Sequence, residues 1–377
     1  MRCQTKDDAS RTAGCACAGG MQVRSFVFLQ GTCEMNPESA MTSAAHRQPV
    51  ARTDTMQAIT QSGYGGLEVF SFGAVSRPRI EANEVLVRVE SAGLDRGTWH
   101  LMTGRPYLMR LMGFGLRRPK QQVPGFDVAG TVVEVGAEVT RFTVGDAVFG
   151  IAKGSFAELA PALETKLAHK PAALSFEQAA VLAVSGGTAL QSIDQAGKIG
   201  PGARVLIIGA SGGVGSYAVQ LAKAMGAHVT GVSSPSKVAL VRSLGTDVAL
   251  DYTCDDFLAE HHDVILDVGG NTALKRLRAA LKADGVLVFV GGEHGGDWTA
   301  GFERQLAAAA LAPFTRQKFE MLMVKEYFEP MERLAAFASS GKLRPAIDRS
   351  WPLAQMPEAM RALVDGTVRG KIVIKVR

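Results

Sequence analysis

What the sequence lacks narrows it first. No apolar run in its 377 residues approaches the roughly 20 that a helix needs to cross a bilayer, so no helical span and no membrane partner are expected. Cysteine is almost missing from the body: Cys3, Cys15, Cys17 and Cys33 crowd the start, and only Cys254 follows. A chain not stapled by disulfides suits a reducing compartment, and a cytoplasmic location is expected. Neither sign of charge dominates. The net charge of +5 and pI of about 9.0 suit an anionic cofactor and give no ground for a nucleic-acid partner. Arg117, Arg118 and Lys120 form a local basic cluster that reads as a solvated loop. What remains is an ordinary globular composition, 47% hydrophobic and 20% charged, with length for about two domains.

Residues 1–55 are rich in Ser, Thr, Ala and Gly and show no sustained period, so a disordered extension is expected there. Ser25–Leu29 is too short for a signal-peptide core, and the mixed charges Lys6, Asp7, Asp8 and Arg11 do not suit a transit peptide. Met56 opens the first strand-like segment. From there to about residue 170 the chain reads as β: Val85–Glu90 alternates, Val128–Val135 follows, and Gly145-Asp146 punctuates Phe142–Phe149. Short punctuated strands suggest a compact barrel. Ser175 with Gln178 makes a capping box that opens a helix through Ala183. Beyond it apolar strands (Val205–Ile208, His228–Val232, Asp263–Asp267, Val286–Val290) alternate with helices (Gly213–Lys223, Lys237–Leu244, Thr272–Leu281). That alternation implies a parallel sheet covered on both faces. Further helices and a last strand, Lys371–Val376, close the chain.

The strand Arg204–Ile208 runs straight into Gly209-Ala210-Ser211-Gly212-Gly213-Val214-Gly215 and then a helix. Ala210, Gly212 and Gly215 fill the three places of the dinucleotide fingerprint, with Ala at the first. A bare backbone at Gly212 admits a pyrophosphate, Gly215 lets helix and strand pack closely, and the helix N-terminus offers free N–H groups. The next strand selects the cofactor. It ends Val232-Ser233-Ser234-Pro235-Ser236-Lys237, without the acid that would hold a free ribose diol. Hydroxyls and an ammonium suit a 2′-phosphate, so NADPH is expected; the same residues also suit a helix start with a solvated lysine.

Together these stretches resemble the medium-chain dehydrogenase/reductase superfamily, in particular its zinc-independent quinone-reductase-like members. The resemblance covers about residues 56–377 and rests on Ala92-Gly93, Pro124 through Val132, Val144 through Val148, Gly187-Thr188-Ala189, the glycine loop, Gly245 through Tyr252, and Arg369-Gly370-Lys371. It implies an α/β fold: a GroES-like β-barrel catalytic domain (56–183), an inserted Rossmann domain with a doubly wound parallel sheet (184–312), and a C-terminal segment returning to the first (313–377). It also implies that Thr188 lies near the cofactor phosphates, Tyr252 near the adenosine ribose, and Gly269 and Gly291 where the cofactor crosses the sheet. Lys371 of the closing motif is grouped with them. A homodimer is expected.

The departures from the zinc-dependent members matter as much. Asp95 stands where they place Cys, Phe126-Asp127 where they place His-Glu, and Val184 where a third ligand falls. No zinc is expected, because these side chains do not make a ligand set. The substrate is then already electrophilic, a quinone or an alkene conjugated to a carbonyl, receiving hydride from NADPH. The segment from Asp95 to Gly104 is expected to line the cleft, and Asp95, His100 and Tyr107 are the candidate catalytic residues, with His100 as hydrogen-bond or proton donor and Tyr107 as the alternative donor. Trp99, Met102 and Met109 suit an apolar wall or ordinary core. A zinc-independent carbonyl or alcohol reductase and a non-catalytic NADPH-binding protein stay open as alternatives.

Overall fold

The computed structural model describes residues 54–270, 272–292, 296–299 and 301–377. The expected N-terminal extension, with its four cysteines, lies outside these residues except for Asp54 and Thr55. Alternating segments of the first half become antiparallel strands. β1 (Thr55–Gln61) pairs with β2 (Phe70–Ser76), which the sequence pattern did not reveal. β3 (Glu84–Leu94) is the axis of a larger sheet, because its inward residues Val85, Val87 and Val89 are wholly buried. Helix α1 (Arg96–Thr103) and the single turn α2 (Tyr107–Met109) follow it. Then come β4 (Asp127–Val135), β5 (Ala147–Ile151), β6 (Leu159–Leu163) and β7 (Leu167–His169).

The capping box is present as expected: Gln178 donates its N–H to Ser175 Oγ, and the Ser175 N–H reaches Gln178 Oε1. The helix it opens, α3 (Phe176–Ala179), stops short of Ala183, and a separate helix, α4 (Ala183–Ala196), begins there. The buried Tyr217 hydroxyl donates to the Val181 carbonyl between them.

The second half alternates as read. β8 (Arg204–Ile208), α5 (Gly213–Ala224), β9 (His228–Ser233), α6 (Val238–Ser243), β10 (Val248–Asp251), β11 (His262–Asp267), α7 (Leu274–Ala279), β12 (Leu281–Phe289), α8 (Phe302–Leu311) and β13 (Lys318–Met321) build a six-stranded sheet. Its order is β10-β9-β8-β11-β12-β13 and every pairing is parallel. Val205, Leu206 and Ile207 of its central strand are fully buried, each worth roughly 1.5–3 kcal/mol of apolar transfer. Two expected helices are shorter than their patterns: Lys237 falls in a 3-10 turn before α6, and Leu281 starts β12 because it is buried beside β11.

The chain then forms α9 (Phe328–Ser339), β14 (Ile347–Pro352), α10 (Met356–Val364) and β15 (Lys371–Lys375). β15 pairs antiparallel with β3, so the C-terminus completes the first sheet, of order β14-β15-β3-β4-β5-β7. This return carries Lys371 from the far end of the sequence to the start of α5.

Candidate functional site

In the parallel sheet, strand order reverses between β8 and β11. Ligands of open α/β sheets bind at such a point, beyond the strand C-termini. Gly209 leaves β8 there with φ of +87°, a left-handed conformation that favours glycine. Ile208 O accepts the N–H groups of Val268 and Gly269, which joins the two strand ends. The N-cap of α5 is Gly212, and no side chain caps the helix, so its first N–H groups are presented bare. A Cβ on Gly215 would fall 2.1 Å from the Gly209 carbonyl oxygen; one on Gly212 would meet nothing nearer than 3.4 Å. Gly215 is therefore required by the protein's own packing. Gly212 is not, and its bareness leaves space for a ligand. Gly291 sits against the Val268 carbonyl, 2.1 Å from an imagined Cβ.

The residues expected to select the nucleotide are placed unequally. Ser233 is buried and its Oγ donates to the Ser234 carbonyl at 3.2 Å. Ser234 caps the turn after β9, and Lys237 Nζ donates to Gly366 O at 2.9 Å. Burial, then the nearby Arg369 guanidinium, pulls the Lys237 ammonium below its ordinary range. Arg369 is a second cation at this edge that the sequence reading quoted in a motif and did not assign. Tyr252 is exposed and its N–H donates to Ser233 O, beside the same strand end. Thr188 turns its hydroxyl onto Val184 O within α4, at 2.7 Å.

The floor of the site is a buried charged cluster. Asp127, fully buried at the start of β4, accepts the Val184 N–H at 2.7 Å and faces Lys371 Nζ at 3.4 Å. Lys371, also buried, donates to Ser185 Oγ at 2.8 Å. A Cβ on Gly213 would lie 3.1 Å from both Lys371 Cδ and Ser185 Oγ, so the cluster adjoins the glycine loop. Burial pushes the Asp127 carboxyl up to about 7; Lys371 opposes this and Asp95 adds to it. Asp95 caps α1 by accepting the Thr98 N–H at 3.1 Å, while its buried Oδ2 has no hydrogen-bond partner among the described residues. Tyr217 lies beneath, its hydroxyl held well above its usual range by burial and then by Asp127.

His100 and Tyr107 stand further out. His100 Nδ1 lies 2.7 Å from the Arg105 carbonyl. A carbonyl only accepts, so Nδ1 carries the proton and a neutral ring presents Nε2 without one. Tyr107 lines a cleft of about 640 Å³ with Tyr64, Trp99, Met102 and Arg110. Every lining residue comes from residues 64–110 or 361–365, and none belongs to the Gly212–Gly215 loop. Met109 is not among its walls.

Two family models match the chain: an alcohol dehydrogenase GroES-like domain over residues 81–173 and a zinc-binding dehydrogenase over 244–374. A chloroplast envelope quinone oxidoreductase homolog of Arabidopsis thaliana is 30% identical over 338 residues, 85% of this chain and 98% of the relative. The chain belongs to the medium-chain dehydrogenase/reductases, among the quinone-oxidoreductase-like members. A 2-methylene-furan-3-one reductase of Solanum lycopersicum is 30% identical over 88% of this chain and 84% of its own. The solved quinone oxidoreductase of Coxiella burnetii aligns with a TM-score of 0.73 at 28% identity, over 86% of this chain and 100% of that one.

The second model's description raises zinc, and the residues here do not fit it. Among the described residues no group of three His, Cys, Asp or Glu side chains comes together. Asp127 is engaged by an amide and an ammonium, and Val184 offers no donor atom. Lys371 brings a fixed positive charge where a metal ion would have to compete with it. Asp95 and Lys371 were candidates from the sequence and Ser185 was not; Asp127 stood there within the Pro124–Val132 motif and as a departure from the zinc pattern, without a role of its own.

Proposed function

We propose that this chain is an NADPH-dependent oxidoreductase that passes hydride, without a metal, to a quinone or an α,β-unsaturated carbonyl. The observation that carries this reading is the bare N-terminus of α5, set at the strand reversal and floored by Lys371, which is already matched to the Asp127 carboxyl and the Ser185 hydroxyl. Bound NADPH supplies the hydride. The protein's share is to bind and orient. The first N–H groups of α5 suit the pyrophosphate. Lys237 and Arg369, with Ser234 between strand and turn, suit a 2′-phosphate, and Tyr252 offers its ring beside the same edge. The relatives point the same way: one is named as a quinone oxidoreductase homolog, one as a furanone reductase, and a mitochondrial human relative, 31% identical, as an NAD(P)H oxidoreductase.

His100, its Nδ1 held on the Arg105 carbonyl, is the candidate hydrogen-bond or proton donor to the acceptor oxygen. Asp95 orients the start of α1 on which His100 rides, and Tyr107 is the second candidate donor. The test is NADPH consumption with quinones, enones, aldehydes and ketones. Turnover confined to quinones and enones supports the reading. Turnover confined to aldehydes and ketones makes the chain a carbonyl reductase, and binding without turnover makes it a nucleotide-binding protein.

A further inference from the structure

One surface beside the Tyr107 cleft is not used by the proposed reaction. From Arg105 to Lys120 the chain holds five basic residues (Arg105, Arg110, Arg117, Arg118 and Lys120) and no acidic one. Interleaved with them are large apolar side chains turned to solvent: Leu111 is 74% exposed, Met112 71% and Leu116 64%, with Phe114 at 39%. Trp298, 73% exposed, stands edge-on to Tyr107 at 5.2 Å and extends the same face. The sequence alone reads Arg117, Arg118 and Lys120 as a solvated loop; the structure adds the exposed apolar side chains beside them.

The segment is held in shape. Tyr64 Oη donates to Gly115 O at 2.7 Å and to Phe114 O at 3.2 Å, and the Lys120 N–H closes the loop onto Phe114 O at 3.1 Å. Gly115 has φ of +111°, and a Cβ there would fall 2.1 Å from the Arg118 carbonyl oxygen, so the turn is tight. Arg110 anchors the base: its guanidinium donates to Gly104 O and Thr103 O and packs over the rings of Tyr64 and Tyr107. Arg105 pairs with Asp297 at 3.1 Å. At the tip, Arg117, Arg118 and Lys120 are exposed and make no ion pair among the described residues.

A fixed surface of exposed Leu, Met, Phe and Trp mixed with unpaired cations has the composition that settles into an anionic lipid–water interface. A two-fold copy docked with its axis through this tip would set Arg117 and Arg118 near their own equivalents, which like charge disfavours. We propose that residues 108–120 and Trp298 form a docking surface for anionic lipid, through which the protein binds membrane surfaces reversibly. The cations meet phosphate headgroups, and Leu111, Met112 and Leu116 enter the acyl boundary. The cleft lined by Arg105, Tyr107 and Arg110 then opens beside the membrane. This goes beyond the reductase reading and does not depend on it.

The test is co-sedimentation of the full chain with vesicles of phosphatidylcholine alone or mixed with phosphatidylglycerol, read also by Trp298 fluorescence. Binding to the mixed vesicles, weakened by salt, with a blue shift absent from Trp298→Phe, is expected. Replacing Arg117, Arg118 and Lys120 by Gln should weaken partitioning on the order of 100-fold, at about fivefold per cation near an anionic surface. Leu111→Ser with Leu116→Ser should weaken it while leaving the melting temperature unchanged, since both side chains are exposed. No binding, equal binding to neutral vesicles, or binding indifferent to both sets of variants overturns the proposal. So does tighter binding to poly-glutamate than to vesicles, which assigns an acidic protein partner, or a lipid-free dimer abolished by the same variants, which assigns a second copy.

Discussion

Gly212→Ser separates the protein's needs from the ligand's. Gly212 has ordinary extended backbone angles (φ −79°, ψ 177°), and a Cβ there would find only the Gly209 carbonyl at 3.4 Å. Serine is at least as good an N-cap as glycine, so the empty protein should keep its melting temperature or gain slightly. The hydroxyl would occupy an N–H group that the pyrophosphate needs and would fill its space. Losing one hydrogen bond to a charged acceptor costs about 1.5–3 kcal/mol, which is about 10- to 150-fold in affinity. NADPH titration by calorimetry, beside thermal unfolding of the empty protein, reads both quantities. Gly215→Ala is the contrast: its Cβ would meet Gly209 O at 2.1 Å and Ala210 Cα at 2.8 Å, both backbone, so unfolding should shift down by about 1–3 kcal/mol or more. Unchanged NADPH affinity in stable Gly212→Ser refutes the placement of the pyrophosphate on this helix.

Three other outcomes follow from the same geometry. Lys237→Ala with Arg369→Ala should lower NADPH affinity at least tenfold and leave NADH affinity nearly unchanged, measured as dissociation constants; an equal loss for both removes these cations from the 2′-phosphate. His100→Ala should lower kcat roughly 10²–10⁴-fold on enones and less on quinones; full kcat on every substrate makes His100 a packing residue. Asp127 titrates near 7 when folded against 3.8 as its ordinary value, so the native state holds this proton more tightly than the unfolded chain. Its contribution to stability is therefore greatest below about pH 3.8 and is lost as pH rises toward 7. Asp127→Asn should remove that downward slope of melting temperature relative to wild type. The comparison cancels His262, whose imidazole burial holds down to about 4 and which acts in the opposite sense. Parallel slopes contradict the burial argument.

Local signals carried most of the fold. The apolar run of β8, the glycines after it and the Ala-rich α5 are consecutive, so period and punctuation reveal them, and the Ser175–Gln178 box is a contact three residues long. β10 and β13 were not legible because each has four residues at a sheet edge and is only partly buried, which leaves no alternation to read. At the break between α3 and α4 the Val181 carbonyl is taken by Tyr217, 36 residues away, a partner that no local pattern reveals. The floor of the site was least legible. Lys371 meets Asp127 across 244 residues and Ser185 across 186, and no spacing rule links such positions. The cleft beside Tyr107 was not legible either, because α10 and the residues before β2 meet the segment from Trp99 to Arg110 only in the folded chain.

The central claim is that hydride moves from the nicotinamide to an electrophilic carbon with no metal taking part. Its most direct measurement is a single-enone reduction by chelator-stripped protein with NADPH deuterated at the transferable position of the nicotinamide C4. Turnover by the stripped protein and one deuterium at the β-carbon of the product are expected. Absence of deuterium at that carbon, or activity that returns only when zinc is restored, contradicts the claim.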